Sequence, residues 1–244
     1  MNSQEDDETS LKGRVAIITG AGRGIGRAIA EMLAEEGCHV ALLARSAEEL
    51  IDAASACEEF GVETLVCVAD VTDPGELTRA FERCHDEFRR LDILVNCAGM
   101  TDLDSAFAAD PEVWDQVIDV NLRASMWATR LALPYLTNSS RPAVIFIAST
   151  ASREAFAGQA AYVAAKHGIL GFAGSLFADV REHGIKVCSI LPGLVETRLT
   201  EIFEADREKM LFPEDVADAV RYVLKTPSHV CPTEIVLQPQ YRPN

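Results

Sequence analysis

The sequence has no apolar run near 18 residues, so nothing in it reads as a hydrophobic helix through a bilayer. Residues 1–10 (Met-Asn-Ser-Gln-Glu-Asp-Asp-Glu-Thr-Ser) are polar and acidic, the reverse of a secretory leader. CxxC pairs are also missing. The seven cysteines, at 38, 57, 67, 84, 97, 188 and 231, are odd in number and mostly lie in apolar stretches, the usage expected of reduced, buried thiols in a cytosol. The five histidines (39, 85, 167, 183 and 229) show no metal-ligand spacing, so metal-free chemistry is expected. Positive charge is scarce: 22 Lys and Arg stand against 38 Asp and Glu, a formal charge of −16, with Glu5, Asp6, Asp7 and Glu8 in one acidic run. Such a field repels phosphate, which argues against nucleic acid or an anionic membrane as partner and disfavours docking on an acidic carrier protein. A soluble, cytoplasmic protein is the expectation.

At 244 residues and 48 % hydrophobic, the chain can bury a sizeable core as one α/β domain over residues 11–244, with 1–10 as a disordered acidic tail. Arg14-Val-Ala-Ile-Ile-Thr19 is a β-branched run that reads as a buried strand, followed by glycines and a helical stretch from Ile25 to Glu36 that stops at Gly37. The alternation then repeats. Strands are predicted at 38–44, 62–69, 91–96, 142–148, 185–190 and 234–238, and helices at 46–60, 74–89, 111–136, 155–182 and 213–225. About seven strands alternating with helices imply right-handed crossovers and a doubly wound parallel sheet of the Rossmann type, covered on both faces, with ligands at the carboxyl ends of the strands.

Two local patterns carry chemistry. Gly20, Gly24 and Gly26, in Thr19-Gly-Ala-Gly-Arg-Gly-Ile-Gly26, occupy the turn between the first strand and the first helix. Missing Cβ atoms there let a backbone approach a pyrophosphate that the helix N-terminus attracts, although a tight strand-to-helix connection uses glycine too. Tyr162 and Lys166 stand one helical turn apart, so they share a face, and an ammonium nearby favours the phenolate of a group that ordinarily titrates near 10. That pair alone recurs by chance on surface helices. Ser149 precedes the tyrosine in Ile147-Ala-Ser-Thr150.

Taken together, the glycine turn, Asn96-Cys-Ala-Gly99, Asn121, Ser149, Tyr162/Lys166 and Pro192-Gly193 occur in the order and spacing of one family. From about residue 11 to 238 the chain resembles a short-chain dehydrogenase/reductase. The resemblance implies a nicotinamide dinucleotide cofactor and a carbonyl or alcohol substrate. It implies Tyr162 as the proton donor or acceptor, Lys166 lowering its pKa and binding ribose, Ser149 bonding the reacting oxygen, and Asn121 holding a water that relays protons. For the cofactor it implies Gly20, Gly24, Ile25 and Gly26 at the pyrophosphate, and Asp70-Val71 at the adenine. Asp70 equally suits the N-cap of the segment from Pro74, as does Asp73. It further implies Asn96, Ala98 and Gly99 along the cofactor, with Cys97 in place of a second Asn, as packing or as an oxidation-sensitive thiol. Pro192, Gly193, Val195 and Thr197 would lie beside the carboxamide.

The second strand ends in Ala44 with no carboxylate and runs into Arg45-Ser46, and Arg23 precedes the second motif glycine. A ribose 2′-hydroxyl calls for an Asp or Glu there and a 2′-phosphate for an Arg, so NADP(H) is the expected cofactor, the alternative being that both arginines are surface charges. The expected activity is carbonyl reduction or alcohol oxidation. The alternatives are a 3-oxoacyl-(acyl carrier protein) reductase, an oxidative sugar-alcohol or hydroxysteroid dehydrogenase, and a non-catalytic dinucleotide sensor or scaffold. By position alone, Met100, Ser152, Glu154, Phe156 and Leu194 are candidate pocket residues under a small lid of about twenty residues after Gly193. The long helices at 111–136 and 155–182, with Leu170, Phe172 and Phe177, suggest a homodimer or homotetramer, as in relatives.

Overall fold

Five short apolar runs, each buried along nearly its whole length, form the middle of a parallel sheet, the pattern of strands covered on both faces. A computed structural model of the chain describes residues 9–243. Most of the tail expected over 1–10 therefore lies outside the described residues. The strands are β1 (Val15–Thr19), β2 (His39–Ala44), β3 (Thr64–Val68), β4 (Ile93–Asn96), β5 (Ala143–Ile147), β6 (Lys186–Pro192) and β7 (Glu234–Leu237). Their order is β3-β2-β1-β4-β5-β6-β7, all parallel, with Ile17 of β1 in register with Ala41 on one side and Leu94 on the other. The order reverses between β1 and β4, which opens a crevice at their carboxyl ends. The doubly wound Rossmann architecture read from the sequence is the observed one.

Helices α1 (Gly24–Glu35), α2 (Ala47–Glu58) and α7 (Pro213–Lys225) carry residues of one core, and α3 (Pro74–Phe88), α5 (Ala124–Leu136) and α6 (Ala160–Val180) of the other. Local signals start several of them. Ser46 caps α2 by accepting from Glu49 N, and Asp73 caps α3 by accepting from Glu76 N, with Pro74 at the first turn. Asp73 is thus the cap; Asp70 instead accepts from the backbone N and hydroxyl of Thr72.

Two helices differ from their sequence-predicted extents. The single helix expected over 111–136 is α4 (Pro111–Ile118), a π-helical segment at Asp119–Arg123, and then α5. The apolar spacing continues through this break, whose cause is long-range. Asn121 Nδ2 donates to Val117 O one turn back and also to Met100 O, 2.9 and 2.7 Å away. The helix expected from 155 begins only at Ala160, because Gly158 adopts φ +78°, a conformation that helical backbone does not use.

Candidate active site

At the tip of β1 the glycine spacing is a steric requirement. A Cβ on Gly26 would lie 2.2 Å from Gly20 O, and Gly20, at φ +70°, would place one 2.9 Å from Ala98 Cα. The turn is held by a residue that the sequence reading passed over. Thr19 Oγ1 accepts from the backbone N–H groups of Cys97 and Ala98, at 3.0 and 3.1 Å, and so ties the end of β1 to the segment leaving β4. Thr197 reaches the same turn, its Cγ2 3.3 Å from where a Gly24 Cβ would stand. Ile25 is half-buried at the start of α1. Gly193 is pressed against Gln238 and Pro239, leaving Pro192-Gly193 at the carboxyl end of β6.

Beside this turn lies a compact cluster. Lys166 is 5 % exposed; its Nζ donates to Ile147 O at 3.0 Å and lies 5.5 Å from the centre of the Tyr162 ring. Burial pushes this ammonium down to about 8. Ser149 caps a short 3₁₀ turn (Thr150–Ser152), its Oγ accepting from Ala151 N at 3.1 Å, which orients the hydroxyl and leaves its hydrogen to donate elsewhere. Burial raises the Tyr162 phenol above its ordinary value, opposed by a hydrogen bond with Ser149. In the chain by itself desolvation outweighs that bond; the lowering by Lys166 is expected together with a positively charged cofactor ring. Asn121 Oδ1 is buried with no hydrogen-bond partner among the described residues, 3.0 Å from the Cβ position of Gly99, which is itself 4.0 Å from Lys166 Nζ. Ser149, Tyr162, Lys166 and Asn121 are therefore brought together from β5, α6 and the π segment. Cys97 neighbours Lys166, and burial pushes its thiol up to about 12, which disfavours the thiolate in the chain by itself.

The side chains of other predicted residues turn into the fold. Asn96 turns its amide to Thr129 Oγ1 on α5, 3.3 Å away, and the Val71 and Val195 side chains belong to the two cores. At the far end, Arg23 pairs with Glu49 of α2 at 3.0 Å, and Arg198 approaches the same carboxylate at 3.7 Å. Glu49 escaped notice because it is 26 residues from Arg23 and reads only as a first-turn helix acid. Arg45 is exposed; burial acts to raise the Asp70 carboxyl, but the hydrogen bonds from Thr72 and, as the smallest contribution, the Arg45 charge hold it below its usual range. Ser46 Oγ is engaged as the cap of α2.

The segment after β6 is short and closes on itself: Val195 bridges to Leu211, Glu196 N donates to Leu211 O at 2.7 Å, and Arg207 pairs with Glu196 at 3.0 Å. Among the candidate pocket residues, Ser152 is buried and Phe156 is exposed. Leu170, Phe172 and Phe177, weighed as an oligomer face, are partly buried and packed against the chain's own core, with Phe172 edge-on to Phe146 at 5.9 Å. Among the described residues no group of His, Cys, Asp and Glu is arranged to hold a metal, and no helix is long and apolar enough to cross a membrane.

Residues 14–208 match the family model described as short chain dehydrogenase. An uncharacterized oxidoreductase of Staphylococcus aureus (strain MW2) is 35 % identical over 231 residues, covering 95 % of this chain and 99 % of the relative. Among solved structures, an alcohol dehydrogenase from the archaeon Thermococcus sibiricus complexed with 5-hydroxy-NADP superposes with a TM-score of 0.87 at 27 % identity, covering 94 % of this chain and 97 % of the other. A putative short-chain alcohol dehydrogenase from Sinorhizobium meliloti 1021 gives 0.88 at 28 %, covering 96 % and 98 %. The match spans the glycine turn, the Ser149/Tyr162/Lys166 cluster and the strand order that brings them together, and the chain belongs to the short-chain dehydrogenase family.

Proposed function

We propose that the chain is an NADP(H)-dependent oxidoreductase that interconverts a carbonyl and a secondary alcohol, with Tyr162 as general acid and base. The observation that carries this reading is the convergence of Ser149, Tyr162, Lys166 and Asn121 beside a glycine turn that no side chain could enter. A binding protein has no use for such a set, which weighs against a sensor or scaffold.

The residues fit a dinucleotide. The bare backbone at Gly20, Gly24 and Gly26, at the N-terminus of α1, suits a pyrophosphate, and Lys166 keeps donors beyond its bond to Ile147 O for a ribose hydroxyl. Arg23 and Arg45 would receive a 2′-phosphate, with Glu49 giving up its hold on Arg23. When bound, the dinucleotide supplies or accepts the hydride. In reduction, Tyr162 donates its proton to the carbonyl oxygen while the Ser149 hydroxyl donates to the same atom, where negative charge grows in the transition state. The phenol, raised by burial, is protonated at neutral pH, as this direction requires. Asn121 Oδ1 can accept from a water that returns protons toward Lys166.

A free carbonyl compound suits the surface better than an acyl chain on an acidic carrier. Residues 168–179 hold no cation, Arg123 is paired with Asp119, and Arg141 donates to Thr226 O. We place the protein in the cytoplasm as a homodimer or homotetramer, and light scattering showing only a 26.5 kDa monomer at micromolar concentration would end the second idea. The test of the activity is a panel of ketones, β-keto esters and secondary alcohols followed by cofactor absorbance with NADPH, NADH and their oxidised forms. Turnover with NADPH and a free ketone is expected; a hundredfold preference for an acetoacetyl-carrier substrate, or for NADH, contradicts the reading.

A further inference from the structure

Asp102 is 6 % exposed, and neither of its carboxylate oxygens has a hydrogen-bond partner among the described residues. A carboxylate removed from water without a donor is costly, so its retention calls for a group that arrives from outside the chain. Its place in the fold indicates which group. The segment 99–103 leaves β4 beside the catalytic cluster: Gly99 adjoins Asn121 Oδ1 and Lys166 Nζ, and Met100 O accepts from Asn121 Nδ2. Three residues on, Leu103 O lies 3.1 Å from the Cβ position of Gly158, in the turn that precedes α6 and Tyr162. The backbone on either side of Asp102 thus adjoins the Asn121–Lys166 cluster and the turn before Tyr162. Ser152, three residues after Ser149, likewise has a buried hydroxyl without a partner.

The surrounding charge agrees. Residues 100–110, 153–159 and 194–212 carry nine carboxylates and four cations. All four cations are already engaged: Arg153 with Glu234, Arg198 with Glu49, Arg207 with Glu196 and Lys209 with Asp206. The balance of these segments is therefore negative, and the exposed side chains Leu103, Phe107, Phe156 and Phe212 add apolar surface.

We propose that Asp102 is the substrate-recognition carboxylate, and that the substrate carries, next to its carbonyl or alcohol carbon, a hydrogen-bond donor: an ammonium or a second hydroxyl. The inference rests on the carbonyl–alcohol reading above and adds the substrate class. Acidic substrates are disfavoured by repulsion from the same carboxylate.

Four secondary alcohols of one shape separate the possibilities: 1-amino-2-propanol, 1,2-propanediol, 2-butanol and lactate, which present ammonium, hydroxyl, methyl and carboxylate. With the wild-type chain, kcat/KM at pH 7 with NADP+ or NAD+ should be at least about tenfold higher for the first two than for 2-butanol, with lactate lowest, the scale of one charge-assisted hydrogen bond. Asp102→Leu should reverse that order, and Asp102→Asn should keep the diol while losing the amine. An unchanged order in Asp102→Leu, or 2-butanol equal to the donor-bearing alcohols in the wild type, overturns the proposal. Thermal melting of the free protein supplies a readout independent of turnover. Asp102→Asn should raise Tm, and 1-amino-2-propanol should raise the Tm of the wild type but not of Asp102→Leu. A fall in Tm for Asp102→Asn would mean that the carboxylate has a partner within the chain, and would reject the assignment. If none of the alcohols is oxidised while the amine still protects only the wild type, the carbonyl–alcohol reading fails and Asp102 as an ammonium site stands; absence of both sinks both.

Discussion

The two ends of the crevice along the sheet are built differently. Around Tyr162 the polar groups are buried and fixed by bonds to backbone: Lys166 on Ile147 O, Ser149 under Ala151 N, Asn121 on Val117 O and Met100 O. Around Arg23 and Arg45 they are exposed and charged, with Glu49 shared between Arg23 and Arg198. Buried donors act at low dielectric and have one geometry, so losing one should cost rate. Exposed charges are screened and exchange partners, so changing one should alter which dinucleotide is chosen more than how fast the chemistry runs.

Five substitutions probe that contrast, from the largest expected effect to the smallest. Gly26→Ala pushes a Cβ into Gly20 O, a backbone atom that cannot swing aside, so dinucleotide binding by calorimetry should vanish and stability fall by about 3 kcal/mol. Normal binding in this variant would show that the turn is looser than its geometry implies. Ser149→Ala should lower kcat by roughly 10²–10³-fold, about 2.7–4 kcal/mol, with KM little changed. A loss confined to KM would make Ser149 a binding group only.

Lys166 sharpens the comparison through pH. Its folded pKa, about 8, lies below the ordinary 10.5, so in that window the unfolded chain binds the proton that the folded chain has released. Wild-type stability relative to Lys166→Met should therefore rise between pH 8 and 10.5, by on the order of 3 kcal/mol in total. A flat difference in urea melts would mean that the lysine is not desolvated. If Lys166 returns protons as proposed, the same shift predicts that carbonyl reduction declines as pH rises through about 8 while oxidation gains, measured as kcat against pH in both directions. At the exposed end, Arg45→Asp should lower kcat/KM for NADPH about tenfold and leave NADH unchanged or improved, whereas Glu49→Gln, by freeing Arg23, should improve NADPH a few-fold. Equal effects on both cofactors would remove the arginines from the phosphate site.

Much of this contrast is legible in the sequence at its buried end and little at its exposed end. The seven strands and the glycine turn follow from β-branched runs and from spacing, because covered parallel strands need continuous apolar sequence and a turn against backbone needs glycine. Asn121 is readable as a site residue, but the π segment around it is not, since a bond to Met100 O some twenty residues back leaves the local apolar period intact. Gly158 marks where α6 cannot yet begin, yet a glycine among helix-forming residues gives no sign that its φ is positive. Thr19, Glu49 and the unpartnered Asp102 are ordinary residues until the fold sets neighbours around them.

The claim beneath the comparison is that Tyr162 moves the proton and does little else. Its most direct test is Tyr162→Phe, which removes one hydroxyl, with NADPH binding measured by calorimetry and turnover measured on the best ketone. The account predicts a dissociation constant within about threefold of the wild type and turnover below about a hundredth of it. Retention of more than about a tenth of wild-type turnover, or a loss of NADPH binding that matches the loss of rate, would contradict it.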